Sequence, residues 1–90
     1  MDEATYSWDD QKSDRCFKER GFDFAFAVLI WDGAVSYLID DRQDYGEVRI
    51  RALGWIEDNP YVVVFTLRGE TRHIISARRA HLKEVRKWQS

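Results

Sequence analysis

The sequence predicts an α+β domain, a central antiparallel sheet of about four strands with helices at the two ends of the chain. Three observations carry this expectation. The middle of the chain alternates apolar and polar residues or runs through β-branched and aromatic ones, as strands do. Its two ends are polar segments with capping residues or a basic terminus, as surface helices are. Between them the turn-forming residues stand singly, with no internal repeat and no Pro-, Gly- or Ser-rich linker, so the connections are short. Ninety residues suit one domain, and 44% hydrophobic with 33% charged residues is the composition of a folded globule. A chain of this length buries roughly 60–65% of its surface on folding, so any active site is expected to be a shallow face.

Taken in order, Thr5 to Trp8 fits a short strand, and Asp9 stands where its carboxylate can accept the first free amides of a helix running to about Arg20. Gly21 suits the left-handed residue that closes such a helix. Only Cys16 and Phe17 are apolar along it, which predicts a surface helix leaning on the body through one narrow edge. Phe22 to Trp31 is open by pattern: alternate residues suit a strand, whereas Asp23 suits the cap of a short buried helix. Ala34 to Ile39 and Glu47 to Trp55 read as strands around the polar turn Asp40 to Tyr45 with Gly46 after it. Asp58-Asn59-Pro60 reads as a turn, and Tyr61 to Leu67 as a strand covered on both faces. Gly69-Glu70 suits a two-residue hairpin loop returning the chain through Thr71 to Ala77. The last helix is expected over about Arg79 to Trp88, with Leu82, Val85 and Trp88 on one stripe and Arg86 and Lys87 at its negative end.

Several chemistries find no motif. The single cysteine, Cys16, leaves no internal disulfide, and Met1-Asp2-Glu3 does not open a basic-then-apolar signal segment; together they predict a reducing cytoplasm. The longest apolar run, Phe24 to Trp31, is far shorter than the ~20 residues of a membrane span. His73 and His81 stand eight apart without CxxC, HExxH or a carboxylate cluster at ligand spacing, and the glycines form neither a P-loop nor GxGxxG, so no metal and no cofactor is expected. The formal net charge of −2 hides two opposite halves. Residues 1–48 carry 5 Lys/Arg against 12 Asp/Glu, net −7, and residues 49–90 carry 9 against 4, net +5. A polyanion partner is therefore compatible with an acidic average, provided the basic half forms one face.

The candidates for chemistry are basic. In a strand over Glu47 to Trp55, Glu47, Arg49 and Arg51 project to one side and Val48, Ile50 and Ala52 to the other. In the last strand Thr71, His73 and Ile75 share a face opposite Arg72, Ile74 and Ser76, while Arg68, Arg78 and Arg79 fall at strand ends. Guanidinium forks match phosphate oxygens, and a carboxylate or imidazole beside them can move a proton. The same pattern also describes a salt-bridged, solvated sheet face.

A resemblance weighs between them. Ser7-Trp8-Asp9-Asp10-Gln11-Lys12, Glu19-Arg20-Gly21-Phe22-Asp23-Phe24, Gly46-Glu47-Val48-Arg49 with Ala52-Leu53-Gly54, Val63 to Gly69, and Ile74-Ile75-Ser76-Ala77-Arg78-Arg79-Ala80 follow one another as in the BrnT family, toxins of type II toxin-antitoxin modules. The chain resembles that family from Tyr6 to Trp88. The resemblance implies a RelE-like ribonuclease fold with two N-terminal helices, so that Phe22 to Trp31 is mostly helical, and one C-terminal helix. It also implies metal-free RNA cleavage that inhibits translation, and neutralisation by a ribbon-helix-helix, BrnA-like antitoxin, operator DNA being reached only through that antitoxin. Trp8, Lys12, Glu47, Arg49, Arg68, Ser76 and Arg78 fall on motif positions. Two departures stand out: Glu19-Arg20-Gly21 replaces the common Lys-His-Gly, and His73 replaces the arginine common before Ile-Ile-Ser.

These readings predict a ribonuclease in which Glu47 or His73 takes a proton from a ribose 2′-hydroxyl, and Arg49, Arg68 and Arg78 stabilise charge on the phosphate. Trp8, Lys12, Arg51 and Arg79 are the candidates for holding RNA, with Lys83 a further one for flanking phosphates. Each has a plain structural counterpart: Trp8 as a packing anchor, Ser76 as a helix cap, Arg79 as a surface charge. The alternative function is a catalytically weak homologue that serves as the antitoxin's partner and corepressor.

Overall fold

The computed structural model describes residues 4–89, so Met1-Asp2-Glu3 lie outside the described residues. The chain runs β1 (Thr5–Trp8), α1 (Asp10–Arg20), α2 (Phe24–Ala27), a 3-10 helix (Val28–Asp32), β2 (Ser36–Ile39), β3 (Ile50–Ile56), β4 (Asn59–Arg68), β5 (Thr71–Arg79) and α3 (Leu82–Gln89). The expected four-stranded antiparallel sheet is instead a five-stranded mixed sheet in the order β1-β5-β4-β3-β2. β2 to β5 form the antiparallel part, and β1 joins it by pairing parallel to β5, Tyr6 opposite Arg72 and Trp8 opposite Ile74. Nothing local announces this pairing, because the two strands are 66 residues apart in the chain.

Local chemistry accounts for the first helix. Asp9 Oδ1 accepts from the amides of Gln11 at 2.9 Å and Lys12 at 3.2 Å, and Gly21, at φ 86°, closes α1 by donating its amide to Phe17 O. The inward edge of α1 is Ser13 and Cys16, while Phe17 is exposed. Ser13 Oγ accepts the Phe24 amide and Cys16 Sγ donates to Ala77 O, so polar groups secure an otherwise polar helix. Asp23 caps α2 by accepting from the Phe26 amide, which resolves Phe22 to Trp31 as helical.

The sheet is covered on both faces along β4, where residues 61–66 are buried without a break. On one face α1, α2 and the 3-10 helix pack Phe24, Ala27 and Ile30 against Ala52, Val63, Phe65 and Ile74. Gly54 is needed there because a Cβ would stand 2.7 Å from Ile30 Cβ. On the other face α3 places Val85 and Trp88 against Leu53 and Val62, while Leu82 of the expected stripe stays exposed. The β4–β5 hairpin closes through Gly69-Glu70 with Gly69 at φ 63°, but the β3–β4 turn is Glu57-Asp58, both at positive φ, with Asn59 and Pro60 already in β4. Among the described residues no helix is long and apolar enough to cross a membrane.

Candidate RNA-binding face

The candidate residues assemble on the α3 face of the sheet, at the end that α3 leaves uncovered. Arg51 lies opposite Val64, and continuing that register past the Ile50–Phe65 pair sets Arg49 beside Thr66. Thr66 in turn lies opposite His73, and its hydroxyl donates to Val48 O at 2.7 Å. Arg49 and His73 therefore share a face two strand spacings apart, about 10 Å between backbones at the usual ~4.8 Å spacing. Arg68, opposite Thr71 at the end of β4, is on this face by alternation.

Glu47 and Arg49 precede β3, which begins at Ile50 rather than at Glu47. The Arg49 guanidinium is fixed between the Glu47 carboxylate, at 3.6 Å, and the Tyr45 ring, whose centroid is 3.9 Å away. Arg51 lies 5.7 Å from the Trp88 ring of α3. The Nε atoms of both arginines are buried and make no hydrogen bond, Arg49 Nε keeping only its longer ion pair with Glu47.

His73 is half-buried, and its Nδ1 lies 2.8 Å from Ser7 Oγ of β1. When Nδ1 carries the proton and donates to Ser7, Nε2 keeps a free lone pair. Burial first, and then the positive charges of Arg68 and Lys12, hold the imidazole below its ordinary pKa of 6.5, against the opposing pull of Glu47 and Asp9. These influences also bring Glu47, Arg68 and Lys12 into the electrostatic surroundings of the ring.

The order of residues along β5 is altered by a register shift. Phe65 pairs with Ile74 and Val64 with Ser76, which leaves Ile75 without a partner. Ser76 consequently falls on the face of His73 and Thr66, not on that of Ile74 as simple alternation predicts. With Lys12 and Arg15 it lines a groove of about 210 Å³ between α1 and β5.

Three candidates are not free members of this cluster. Trp8 lies on the opposite face, edge-on to Phe24 with ring centroids 6.4 Å apart. Arg79 is also on that side, over the Tyr61 ring and hydrogen-bonded to Asn59. Arg78 shares the α3 face, but its guanidinium is clamped to Glu84 by two bonds of 2.9 and 2.6 Å. Lys83 extends from α3 along the groove shared by Arg78 and Glu84. The sequence does not single out Ser7, Thr66 or Tyr45. Ser7 and Thr66 reach His73 only through strand pairing, whereas an aromatic residue four positions before Arg49 was at least a visible stacking signal.

Beside the cluster, the loop after β2 carries an internal clamp. Asp40, its side chain only 1% exposed, accepts from Arg42 Nε at 2.7 Å and from Arg42 Nη2 at 2.9 Å. The bond from Arg42 lowers the Asp40 pKa to about 2.

Comparison with known proteins adds the family. The curated proteins contain no match to this chain. The family model of the ribonuclease toxin BrnT of type II toxin-antitoxin systems matches residues 8–84, a span that takes in β1's Trp8, the whole basic face and most of the chain. On that match the chain belongs to the BrnT family of type II toxin-antitoxin ribonuclease toxins.

Proposed function

We propose that this chain is a metal-independent endoribonuclease whose active face is centred on His73, Arg49, Arg51 and Arg68. The observation that carries the proposal is the placement of a low-pKa imidazole and an arginine pair on one open sheet face, two strands apart. His73 Nε2 takes the proton of a ribose 2′-hydroxyl, and the 2′-oxygen forms a bond to the adjacent phosphorus. The bond from phosphorus to the 5′-oxygen breaks, and that oxygen takes a proton from solvent. Arg49, held by Glu47, acts with Arg51 and Arg68 to offset the charge gathering on the phosphoryl oxygens, and Lys12 holds a flanking phosphate. Glu47, committed to Arg49, is a positioning residue here and not the base. DNA lacks the attacking hydroxyl and is not a substrate.

The same reading places the protein in the cytoplasm, assigns its fold to the RelE-like group, and pairs it with a ribbon-helix-helix antitoxin through which it reaches operator DNA. One observation favours the second reading, a binding partner without catalytic power: Arg78, a family motif position, is occupied by Glu84.

Purified protein incubated with single-stranded RNA in the presence of EDTA tests the proposal. Products with 5′-hydroxyl ends and 2′,3′-cyclic phosphates are expected, and His73→Ala is expected to slow cleavage by about 10²- to 10⁴-fold. Loss of cleavage on chelation, or full activity of His73→Ala, contradicts the mechanism. A folded native chain that cuts no RNA yet binds the antitoxin supports the second reading.

A further inference from the structure

The helices on the α1 side do not cover the whole sheet. Toward β2 they leave an apolar groove of about 440 Å³ lined by Tyr37, Ile39, Ile50, Phe65, Leu67 and Arg72. Ile39 is 59% exposed, Leu67 54% and Tyr37 48%, and Val48 beside them is more exposed still. β2 is also one of the sheet's two edges, a strand Ser-Tyr-Leu-Ile that is protected by its four-residue length but carries no lysine, proline or inward charge. A contiguous apolar surface of this kind marks an interaction site.

Charge indicates what occupies it. Arg72 is the single charged residue of the groove; its guanidinium is stacked 4.6 Å from the Trp31 ring, donates to Tyr6 Oη, and makes no ion pair among the described residues. A second copy of the chain, docked groove to groove by two-fold symmetry, would bring the same lining to itself, and that lining holds no carboxylate to meet Arg72. The missing complement is a carboxylate carried by a different chain.

We propose that this groove receives an amphipathic helix of the antitoxin, its apolar stripe filling the space between β2 and Leu67 and an Asp or Glu beside the stripe pairing with Arg72. This rests on the chain's membership of a type II toxin family, which supplies a protein partner, but not on the cleavage mechanism. A helix seated there completes the second layer of the sheet. It also lies along the edge from which the Asp40–Arg42 loop leads to Arg49, so neutralisation would act at the border of the basic face rather than through its centre.

The test uses the full chain and the product of the reading frame adjoining its gene, with affinity measured by calorimetry and RNA cleavage read separately. Ile39→Ser combined with Leu67→Ser is expected to keep the native melting behaviour and RNA cleavage while weakening the complex at least tenfold. Arg72→Gln, measured well below its melting temperature, is expected to weaken it further, with a loss of salt dependence. Phe17→Ser, on the far side of α1 and 58% exposed in the native chain, is the control and is expected to leave affinity unchanged. Unchanged affinity in the folded double variant overturns the proposal, as does absence of a complex with the native chain. A native dimer that becomes monomeric in the double variant also overturns it by assigning the groove to a second copy. Because binding is read independently of cleavage, an inactive native chain refutes the ribonuclease mechanism alone.

Discussion

His73 has an environment suited to a base at neutral pH. Its folded pKa lies below 6.5, so the neutral imidazole persists into mild acid, and the acid limb of cleavage is expected to have its midpoint below pH 6.5. Ser7→Ala, which removes the Nδ1 partner, is expected to lower kcat with little change in KM, as a positioning defect does. A pH–rate profile of each variant checks both outcomes. Asp40 titrates in a different window. With its folded pKa near 2 against an ordinary 3.8, the Arg42 clamp contributes its full stabilisation above about pH 4 and loses it as pH falls toward 2. Arg42 is largely in solvent, so Asp40→Asn is expected to cost only about 1 kcal/mol at pH 7, with the difference vanishing near pH 2 in urea unfolding curves. Of these two groups only His73 was conspicuous in the sequence. Its partner Ser7 stands 66 residues away in the chain, and the Asp40–Arg42 segment has the composition of any polar turn.

At the level of elements, close packing and turn geometry give opposite predictions for two neighbouring positions. Gly54→Ala puts a methyl group 2.7 Å from Ile30 Cβ, where β3 and the 3-10 helix touch, and is expected to destabilise by about 1–3 kcal/mol by thermal unfolding. The β3–β4 turn instead holds two non-glycine residues at φ 50° and 68°, the conformation that Asn-Gly adopts most easily. Glu57→Asn with Asp58→Gly is expected to stabilise by about 1 kcal/mol, the relief of left-handed backbone strain outweighing the added freedom of the unfolded glycine, and to raise the melting temperature by a few degrees; a loss would show that the present side chains support the turn in another way. The sequence signalled a turn in this place but put it one or two residues late, because Asn and Pro are frequent in turns and here they open a strand. Pro60 is tolerated in β4, where its carbonyl accepts from the Ala80 amide.

On the scale of the whole molecule, opposite charges segregate along the chain and the fold decides where they meet. Lys12 comes from the acidic half, yet α1 carries it to the surroundings of His73, where it joins Arg49, Arg51 and Arg68. If each of the four meets one phosphate of a single-stranded RNA, log affinity is expected to fall against log salt with a slope of about −3, at ~0.7 per contact, despite the net charge of −2. Filter binding between 50 and 300 mM salt measures the slope, and a flat response would show that the cations do not act as one surface. The aromatic surplus distributes similarly: Trp55 is exposed while Trp8, Trp31 and Trp88 are half-buried, so the small core leaves indole surface at its margins.

The sequence by itself determined the capped first helix, the Gly69-Glu70 hairpin, the doubly buried β4, the shared side of Arg49 and Arg51, and the family motifs. Each of these depends on interactions within a few residues or on a repeat of two along one strand, and such signals are written locally. Only the tertiary structure decided that β1 runs parallel beside β5, that the shift at Ile75 turns Ser76 toward His73, that Trp8 and Arg79 lie on the other face, and that Glu84 claims Arg78. Those outcomes depend on which distant surfaces pack together, and a one-residue shift in pairing moves a side chain from one face of a sheet to the other. The candidate face is therefore read by strand from the sequence and completed across strands by the fold.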